Sequence, residues 1–117
     1  MQIHEVDFRD AAPVEGYGPG FFRIGGDVQE GPLLAIGAQF GPWSGLEDRD
    51  VLLALAGQVD VLFVGTGSEI AHLPPDLRRA LEEAGIGVEV MNSPSACRTY
   101  NVVLTEGRRV ALAALPI

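Results

Sequence analysis

The second half of the sequence alternates apolar runs with segments of helical periodicity, and this alternation constrains the fold more than any other feature. The runs Val59 to Val64, Ile86 to Met91 and Arg109 to Leu115 are short and predict strands. The first is a continuous β-branched and aromatic run, which is typical of a strand buried on both faces. Between them lie two segments with apolar residues at helical spacing, about Pro75 to Ala84 and about Pro94 to Glu106. Strand, helix, strand, helix, strand with short connections predicts a parallel sheet with right-handed crossovers.

The predicted helices carry recognisable ends. The first of the two opens at a proline pair and stops before Gly85, and the second opens at Ser93, which we expect to cap it, with Pro94 at the first helical position. A further helix is expected over Leu46 to Ala56, because acidic residues near its start favour the amino end of a helix.

The first forty residues carry turn chemistry rather than helical periodicity. Phe22 and Ile24 fall on one face of a short strand, the segment 25–27 predicts a turn, and the residues from Leu33 to Phe40 alternate as a second strand. We expect these two strands to pair as an antiparallel hairpin added to the parallel sheet. With no repeat, linker or low-complexity segment, residues 1–117 are predicted to form a single α/β domain.

Composition excludes several classes of function. The chain has 117 residues, eight Arg and no Lys against 16 acidic residues, and a net charge of -8, which disfavours binding to nucleic acid. Without lysine, neither Schiff-base catalysis nor a P-loop is available. A single cysteine cannot form an internal disulfide.

Targeting and membrane signals are also lacking in the sequence. The chain opens on a charged stretch, which predicts a cytoplasmic protein. Its longest apolar runs, Val51 to Ala56 and Val110 to Ile117, are much shorter than the ~20 residues of a membrane-spanning helix. Any membrane role is therefore expected to be peripheral.

Two loops at the carboxyl ends of the predicted strands are candidates for a ligand site, because ligands collect there in parallel sheets. Helix-start amides with an arginine and hydroxyls nearby could hold an anion; alternatively, the glycines only make a turn and the serine only caps. The dinucleotide fingerprint fails, since Ile70 replaces its third glycine. The candidate cleft comprises Gly65, Thr66, Gly67, Ser95, Cys97, Arg98, Thr99, Tyr100 and Asn101.

Other residues with possible chemistry have plain structural alternatives. Cys97 could be an activated nucleophile near a helix start, but a small buried core residue is the favoured interpretation. Trp43 either closes the core or anchors a partner, and Tyr17 in its glycine-rich loop is similar. His4 and His72 lie in separate segments, so we predict no metal site and no cofactor.

Several motifs occur together in one order along the chain. They are Gly16-Tyr17-Gly18, Phe22-Arg23-Ile24, Trp43, Gly65-Thr66-Gly67, Leu77-Arg78, the segment from Gly85 to Met91, Ala96 to Asn101 and Glu106 to Val110. Together they resemble a small domain family shared by archaeal and bacterial hypothetical proteins and by mitochondrial NADH dehydrogenase (complex I) assembly factor 3. Relatives often have Asp-Thr-Gly where this chain has Asn92-Ser93-Pro94, which puts an acid-base role there in doubt.

The resemblance implies a three-layer α/β fold, no established catalysis, and a role in joining complex I subunits or another assembly factor at the inner membrane. A non-catalytic assembly protein with protein partners is therefore the favoured function, reached at the membrane only through a protein. The alternative is a small-molecule or anion binder, conceivably an enzyme, that uses the candidate cleft. Oligomeric state is left open. Partner contacts are expected around the aromatic residues Tyr17, Phe21, Phe22 and Trp43.

Overall fold

The computed structural model describes residues 11–117, which form eight strands and three helices. The strands are β1 (Val14–Gly18), β2 (Phe21–Ile24), β3 (Asp27–Glu30), β4 (Leu33–Ile36), β5 (Gln39–Pro42), β6 (Val61–Thr66), β7 (Gly87–Met91) and β8 (Val110–Leu115). The helices are α1 (Arg49–Leu53), α2 (Pro75–Glu83) and α3 (Ser93–Thr105).

The larger sheet has five strands in the order β5-β4-β8-β6-β7. Strand β6 pairs in parallel with both β7 and β8, as the alternating pattern predicts for strand-helix-strand units. Strand β4 pairs antiparallel with β8 and with β5, so a hairpin from the first half extends the sheet. The predicted α/β class, with an antiparallel hairpin beside a parallel βαβαβ unit, is confirmed.

The pairing within the first half differs from the prediction. Strand β2 pairs with β1 and β3 in a separate three-stranded antiparallel sheet, and it does not pair with the segment after Leu33. That segment is itself a hairpin, since β4 and β5 are joined by a two-residue turn at Gly37 and Ala38, with Gly37 at a φ of +61°. A side chain would rarely adopt that conformation, which glycine does without strain.

Helix α1 is shorter than the predicted Leu46 to Ala56. Only Arg49–Leu53 is regular helix, and the amides of Leu55 and Ala56 turn back to carbonyls three residues earlier, at 3.1 Å. Glycines with positive φ, Gly45 at +97° and Gly57 at +82°, flank the segment and limit its length.

The five-stranded sheet separates two apolar clusters, which gives three layers. One face packs against α1 and α2, with Leu52, Leu77 and Leu81 buried on strand residues such as Leu62 and Val64. The other face packs against α3 and the small sheet. Its buried residues are Val14, Phe22, Ile24, Leu33, Ala35, Phe63, Ala96, Cys97, Tyr100, Val110, Leu112 and Ala114. Helix α3 is thus held between the central sheet and β1, where the candidate residues lie.

Candidate functional site

The amino end of α3 is capped by Asn92, not by Ser93 as the sequence predicts. The side-chain oxygen of Asn92 accepts a hydrogen bond from the Ser95 amide at 2.8 Å, and its carbonyl accepts from Ala96 at 2.9 Å. Ser93 is the first helical residue and Pro94 the second. The cap is displaced by one residue because Ser93 is committed to a tertiary contact.

Ser93 is a buried polar residue that joins three segments. Its hydroxyl accepts a hydrogen bond from the Gly67 amide at 2.9 Å and donates one to the carbonyl of Leu115. Its own amide donates to the Gly67 carbonyl at 2.7 Å. A side chain at Gly65 would lie 2.7 Å from the Ser93 hydroxyl oxygen, so Gly65 is needed for the close approach of β6 to α3.

These bonds use the donors on which an anion site at the helix start would depend. The Gly67 and Ser95 amides have internal partners, and Pro94 has no amide hydrogen. The Thr66 hydroxyl is also occupied, since it donates to the Glu69 carbonyl at 2.8 Å and accepts from the Ala71 amide at 3.0 Å. An anion bound between Gly65 and Ser95 would have to displace these bonds.

A groove of about 240 Å³ lies instead between β1 and the middle of α3. It brings together four residues singled out from the sequence, Tyr17, Cys97, Arg98 and Asn101, although they come from opposite ends of the chain. The candidate cleft is thus divided: residues 65–67 lie against the start of α3, whereas these helix residues face β1. The groove is completed by Val14, Glu15 and Gly16.

Asn101 fixes the width of this groove at one end. Its side-chain oxygen accepts a hydrogen bond from the Val14 amide and its side-chain nitrogen donates to the Val14 carbonyl, each at 2.8 Å. Asn101 can be assigned to a cleft from the sequence, whereas Val14 and Glu15 cannot. Nothing local in the sequence marks them, because the contact spans 87 positions.

The charged groups of the groove are differently engaged. Arg98 is exposed, and its guanidinium donates to the Ser95 hydroxyl at 3.2 Å. In residues 11–117, Arg78, Arg79 and Arg109 form ion pairs, whereas Arg98 forms none. The carboxylate of Glu15 accepts from the Gly26 amide at 3.2 Å.

Cys97 and Tyr100 belong to the core beneath the groove. Cys97 is 2% exposed, and burial raises the pKa of its thiol to about 12. The positive charge of Arg98 has a smaller effect and lowers this pKa. That environment favours the thiol over the thiolate and matches a core cysteine, not an activated nucleophile. Burial likewise raises the pKa of Tyr100 to about 12, and the backbone of Gly37 has a smaller effect that lowers it. Thr99 donates its hydroxyl to the sulfur of Met91 at 3.5 Å.

The aromatic residues expected to contact partners separate into two groups. Phe22, at 1% exposed, and Trp43, at 6%, are buried in the two core clusters, so neither is an exposed anchor, and the core alternative for Trp43 is the one observed. Phe21 is partly buried with its ring over Gly18. Tyr17 is 40% exposed beside the groove and is the aromatic residue available to a partner there.

Within residues 11–117, no three His, Cys, Asp or Glu side chains are grouped as metal ligands would be; His4 lies outside this range. None of the three helices α1 to α3 has the length and apolar character needed to cross a bilayer.

Most of the described chain matches one protein family. The family model "Protein of unknown function (DUF498/DUF598)" matches residues 14–115. An uncharacterized protein of Rhodobacter capsulatus is 51% identical over 117 residues, covering 100% of this chain and 94% of that protein. NADH dehydrogenase (ubiquinone) 1 alpha subcomplex assembly factor 3 of Xenopus tropicalis is 30% identical, covering 92% of this chain and 64% of that protein.

A solved structure shares the fold. The crystal structure of an outer membrane protein from Bartonella henselae superposes with a TM-score of 0.82 and 34% sequence identity, over 92% of this chain and 97% of that one.

Proposed function

Since this chain belongs to the DUF498/DUF598 family, we propose that it is a binding protein in the assembly of a respiratory NADH dehydrogenase. The observation that supports this function is the likeness to assembly factor 3 of Xenopus tropicalis, which extends over 92% of the chain. That protein is longer, and this chain spans 64% of its length, so the shared domain is the part to which we assign partner binding.

The groove between β1 and α3 is the surface that we assign to the partner. Tyr17 and Arg98 are exposed on its rim, and tyrosine and arginine are among the residue types that contribute most to protein interfaces. The two hydrogen bonds between Asn101 and Val14 fix the position of β1 relative to α3 at one end of the groove. A partner would therefore bind to a surface that is already formed.

The location that we propose is the cytoplasmic side of the inner membrane, reached through a protein. A chain with a net charge of -8 is repelled by anionic lipid headgroups, which attract basic segments. A membrane-bound subunit or another assembly factor would therefore supply the attachment.

Affinity capture with a paired set of variants tests this function. The tagged chain and its Arg98→Glu variant are used to capture proteins from gently solubilised membranes of the source cells, and the captured proteins are identified by mass spectrometry. Arg79→Glu on α2 is the matched control, because it makes the same charge change on another exposed surface.

We expect NADH dehydrogenase subunits or an assembly factor with the unaltered chain and with Arg79→Glu, and at least a tenfold loss with Arg98→Glu. Circular dichroism melts of the three proteins show that each is folded. Capture of no such protein by the folded, unaltered chain would reject the assembly function. Equal capture by both variants would reject the groove as the binding surface.

One observation favours a second candidate, a small anionic ligand. Arg98 lines a groove and is bonded to a neutral hydroxyl, so its guanidinium can still take a carboxylate or phosphate. A thermal-shift series with citrate and inorganic phosphate tests it. Stabilisation of the unaltered chain that disappears in Arg98→Ala would support a ligand, and equal melting temperatures would argue against one.

A further inference from the structure

We propose that the groove binds an extended segment of the partner polypeptide, which adds to the outer edge of β1 at Tyr17 and places a carboxylate side chain on Arg98. This inference rests on the proposed function insofar as a protein occupies the groove. It specifies the chemistry of that protein: a strand-like main chain with an acidic side chain.

The hairpin register determines which main-chain groups of β1 face the groove. Gly18 pairs with Phe21 across a two-residue turn, and Tyr17 pairs with Phe22. In such a hairpin the pair next to the turn exchanges hydrogen bonds, and the following pair directs its N-H and C=O groups outward. The N-H and C=O groups of Tyr17 therefore lie on the outer edge of β1.

The β2-β3 hairpin leads to the same assignment independently. Ile24 pairs with Asp27 across the two-residue turn at Gly25 and Gly26, so the main-chain groups of Ile24 are directed toward β3. Two residues earlier on the same strand, Phe22 has the same direction. Its neighbour on the other side, Tyr17, is thus a non-hydrogen-bonded partner with outward main-chain groups.

Asn101 marks the same edge and shows that it can be paired. Val14 also directs its amide and carbonyl outward, and the Asn101 side chain takes both at 2.8 Å. An irregularity between Val14 and Gly16 places Val14 and Tyr17 on one edge although they are three residues apart. Asn101 therefore acts as a short substitute for a neighbouring strand, and Tyr17 is the next position along that edge.

The charges of the groove select an acidic segment. Arg98 has no ion pair within residues 11–117 and donates to a neutral group, the Ser95 hydroxyl. Glu15, the other charged residue of the groove, has no ion pair there either, and its carboxylate accepts from the Gly26 amide in the β2-β3 turn. An incoming carboxylate would gain a charge-assisted hydrogen bond with little rearrangement. A basic side chain at the same position would be repelled by Arg98.

The size of the groove also fits a short peptide segment. Its volume of about 240 Å³ is below the range of roughly 300 to 1,000 Å³ that is usual for pockets of drug-sized ligands. A strand presents alternate side chains to one face, so a segment of a few residues would place one or two side chains in this space.

Selection of peptides from a random heptapeptide phage library against the full chain provides the probe. The best peptide is synthesised with a fluorescent label, and its affinity is measured for the unaltered chain, Arg98→Ala and the control Arg79→Ala. A second peptide set carries one N-methylated amide at a time, which removes one main-chain donor without changing a side chain. Hydrogen exchange of the Tyr17 amide is followed by NMR with and without the peptide.

We expect the selected peptides to contain Asp or Glu, and Arg98→Ala to weaken binding at least tenfold while Arg79→Ala stays within about twofold. One N-methylated position should weaken binding at least tenfold, and the Tyr17 amide should exchange at least tenfold more slowly in the complex. An N-methyl series without effect, an unchanged Tyr17 exchange rate, or a selection without enriched peptides would each overturn the inference.

Failure of this inference can be distinguished from failure of the proposed function. Capture of NADH dehydrogenase subunits that leaves the Tyr17 amide exchanging freely would keep the assembly function and reject strand addition. If the chain binds acidic peptides through their main chain but captures no such subunit, strand addition is kept and the assembly function is rejected.

Discussion

Asn101 pairs with the main chain of Val14 as a neighbouring strand would, donating one hydrogen bond and accepting one at 2.8 Å each. A helix and the edge of a sheet rarely offer complementary main-chain groups to each other, because a helix uses its own internally. The carboxamide provides both a donor and an acceptor on one side chain. It thereby ties the small sheet to α3.

Asn101→Ala should lower the free energy of unfolding by about 1 to 3 kcal/mol, because two hydrogen bonds of about 0.5 to 1.5 kcal/mol each are lost. Urea denaturation measures this change. Val102→Ala, on the exposed side of the same helix, is the control and should stay within about 0.5 kcal/mol. A fully stable Asn101→Ala variant would mean that β1 is held by other contacts.

Gly65→Ala should destabilise the fold by about 1 to 3 kcal/mol or more, since the added carbon would lie 2.7 Å from the Ser93 oxygen and 2.8 Å from its Cα. The Cα is a backbone atom, and the buried hydroxyl oxygen is held by its hydrogen bonds with Gly67 and Leu115. Gly41→Ala is a matched strand control, because nothing lies within 4 Å of the added carbon, and it should change stability by no more than about 0.5 kcal/mol. Thermal melts of both variants make the comparison; equal melting temperatures would contradict the close approach.

Cys97 should resist alkylation in the folded chain. With a thiol pKa of about 12, only on the order of one thiol in ten thousand is ionised near pH 8, and burial also blocks the reagent. Iodoacetamide labelling followed by mass spectrometry should be at least about a hundredfold slower in native buffer than in guanidinium chloride. Rapid labelling of the native protein would restore the nucleophile hypothesis.

Stability should fall in alkaline solution because two buried groups hold their protons more tightly in the folded state. The pKa of Cys97 rises from 9.0 to about 12 and that of Tyr100 from 10.0 to about 12. Their contribution is complete below about pH 9 and is lost as the pH rises toward 12, with a slope of about 1.4 kcal/mol per pH unit for each group. Urea denaturation across this range measures it.

The variant Cys97→Ala with Tyr100→Phe separates this effect from general alkaline denaturation. It removes both ionisable groups and should show a much shallower loss of stability between about pH 9 and 12 than the unaltered chain. If stability falls with pH equally in the two proteins, neither Cys97 nor Tyr100 causes the alkaline loss of stability.

The parallel half of the fold could be predicted because its signals are local. The apolar run before Gly65 and the helical spacing of α2 and α3 identify their elements without tertiary information. The sequence could not show that β4 and β5 are two strands. A two-residue turn keeps the alternation of apolar residues in phase, so the pattern predicts one continuous strand. Strand β1 has two glycines in five residues, and strand β3 has two acidic residues in four, so neither has a clear strand pattern; both form through pairing with β2.

In the candidate site, too, the residues with local sequence signals could be predicted and those placed by distant contacts could not. Arg98 and Asn101 could be singled out because they follow a predicted strand on a predicted helix, whereas β1 comes from the far end of the chain. Ser93 before Pro94 is a usual cap signal. The carbonyl of Leu115 and the amide of Gly67 instead engage its hydroxyl, and the cap passes to Asn92, an outcome decided by packing between distant segments.

Strand β8 lies between β4 and β6, yet it is the last of the described strands in chain order. A ribosome synthesises the two sides of the large sheet well before the strand that joins them. Until Val110 to Leu115 leave the exit tunnel, β4 and β6 each present an unpaired edge, and the nascent chain needs protection from intermolecular pairing. Completion of this domain is therefore expected to be a late, all-or-none event in its biosynthesis.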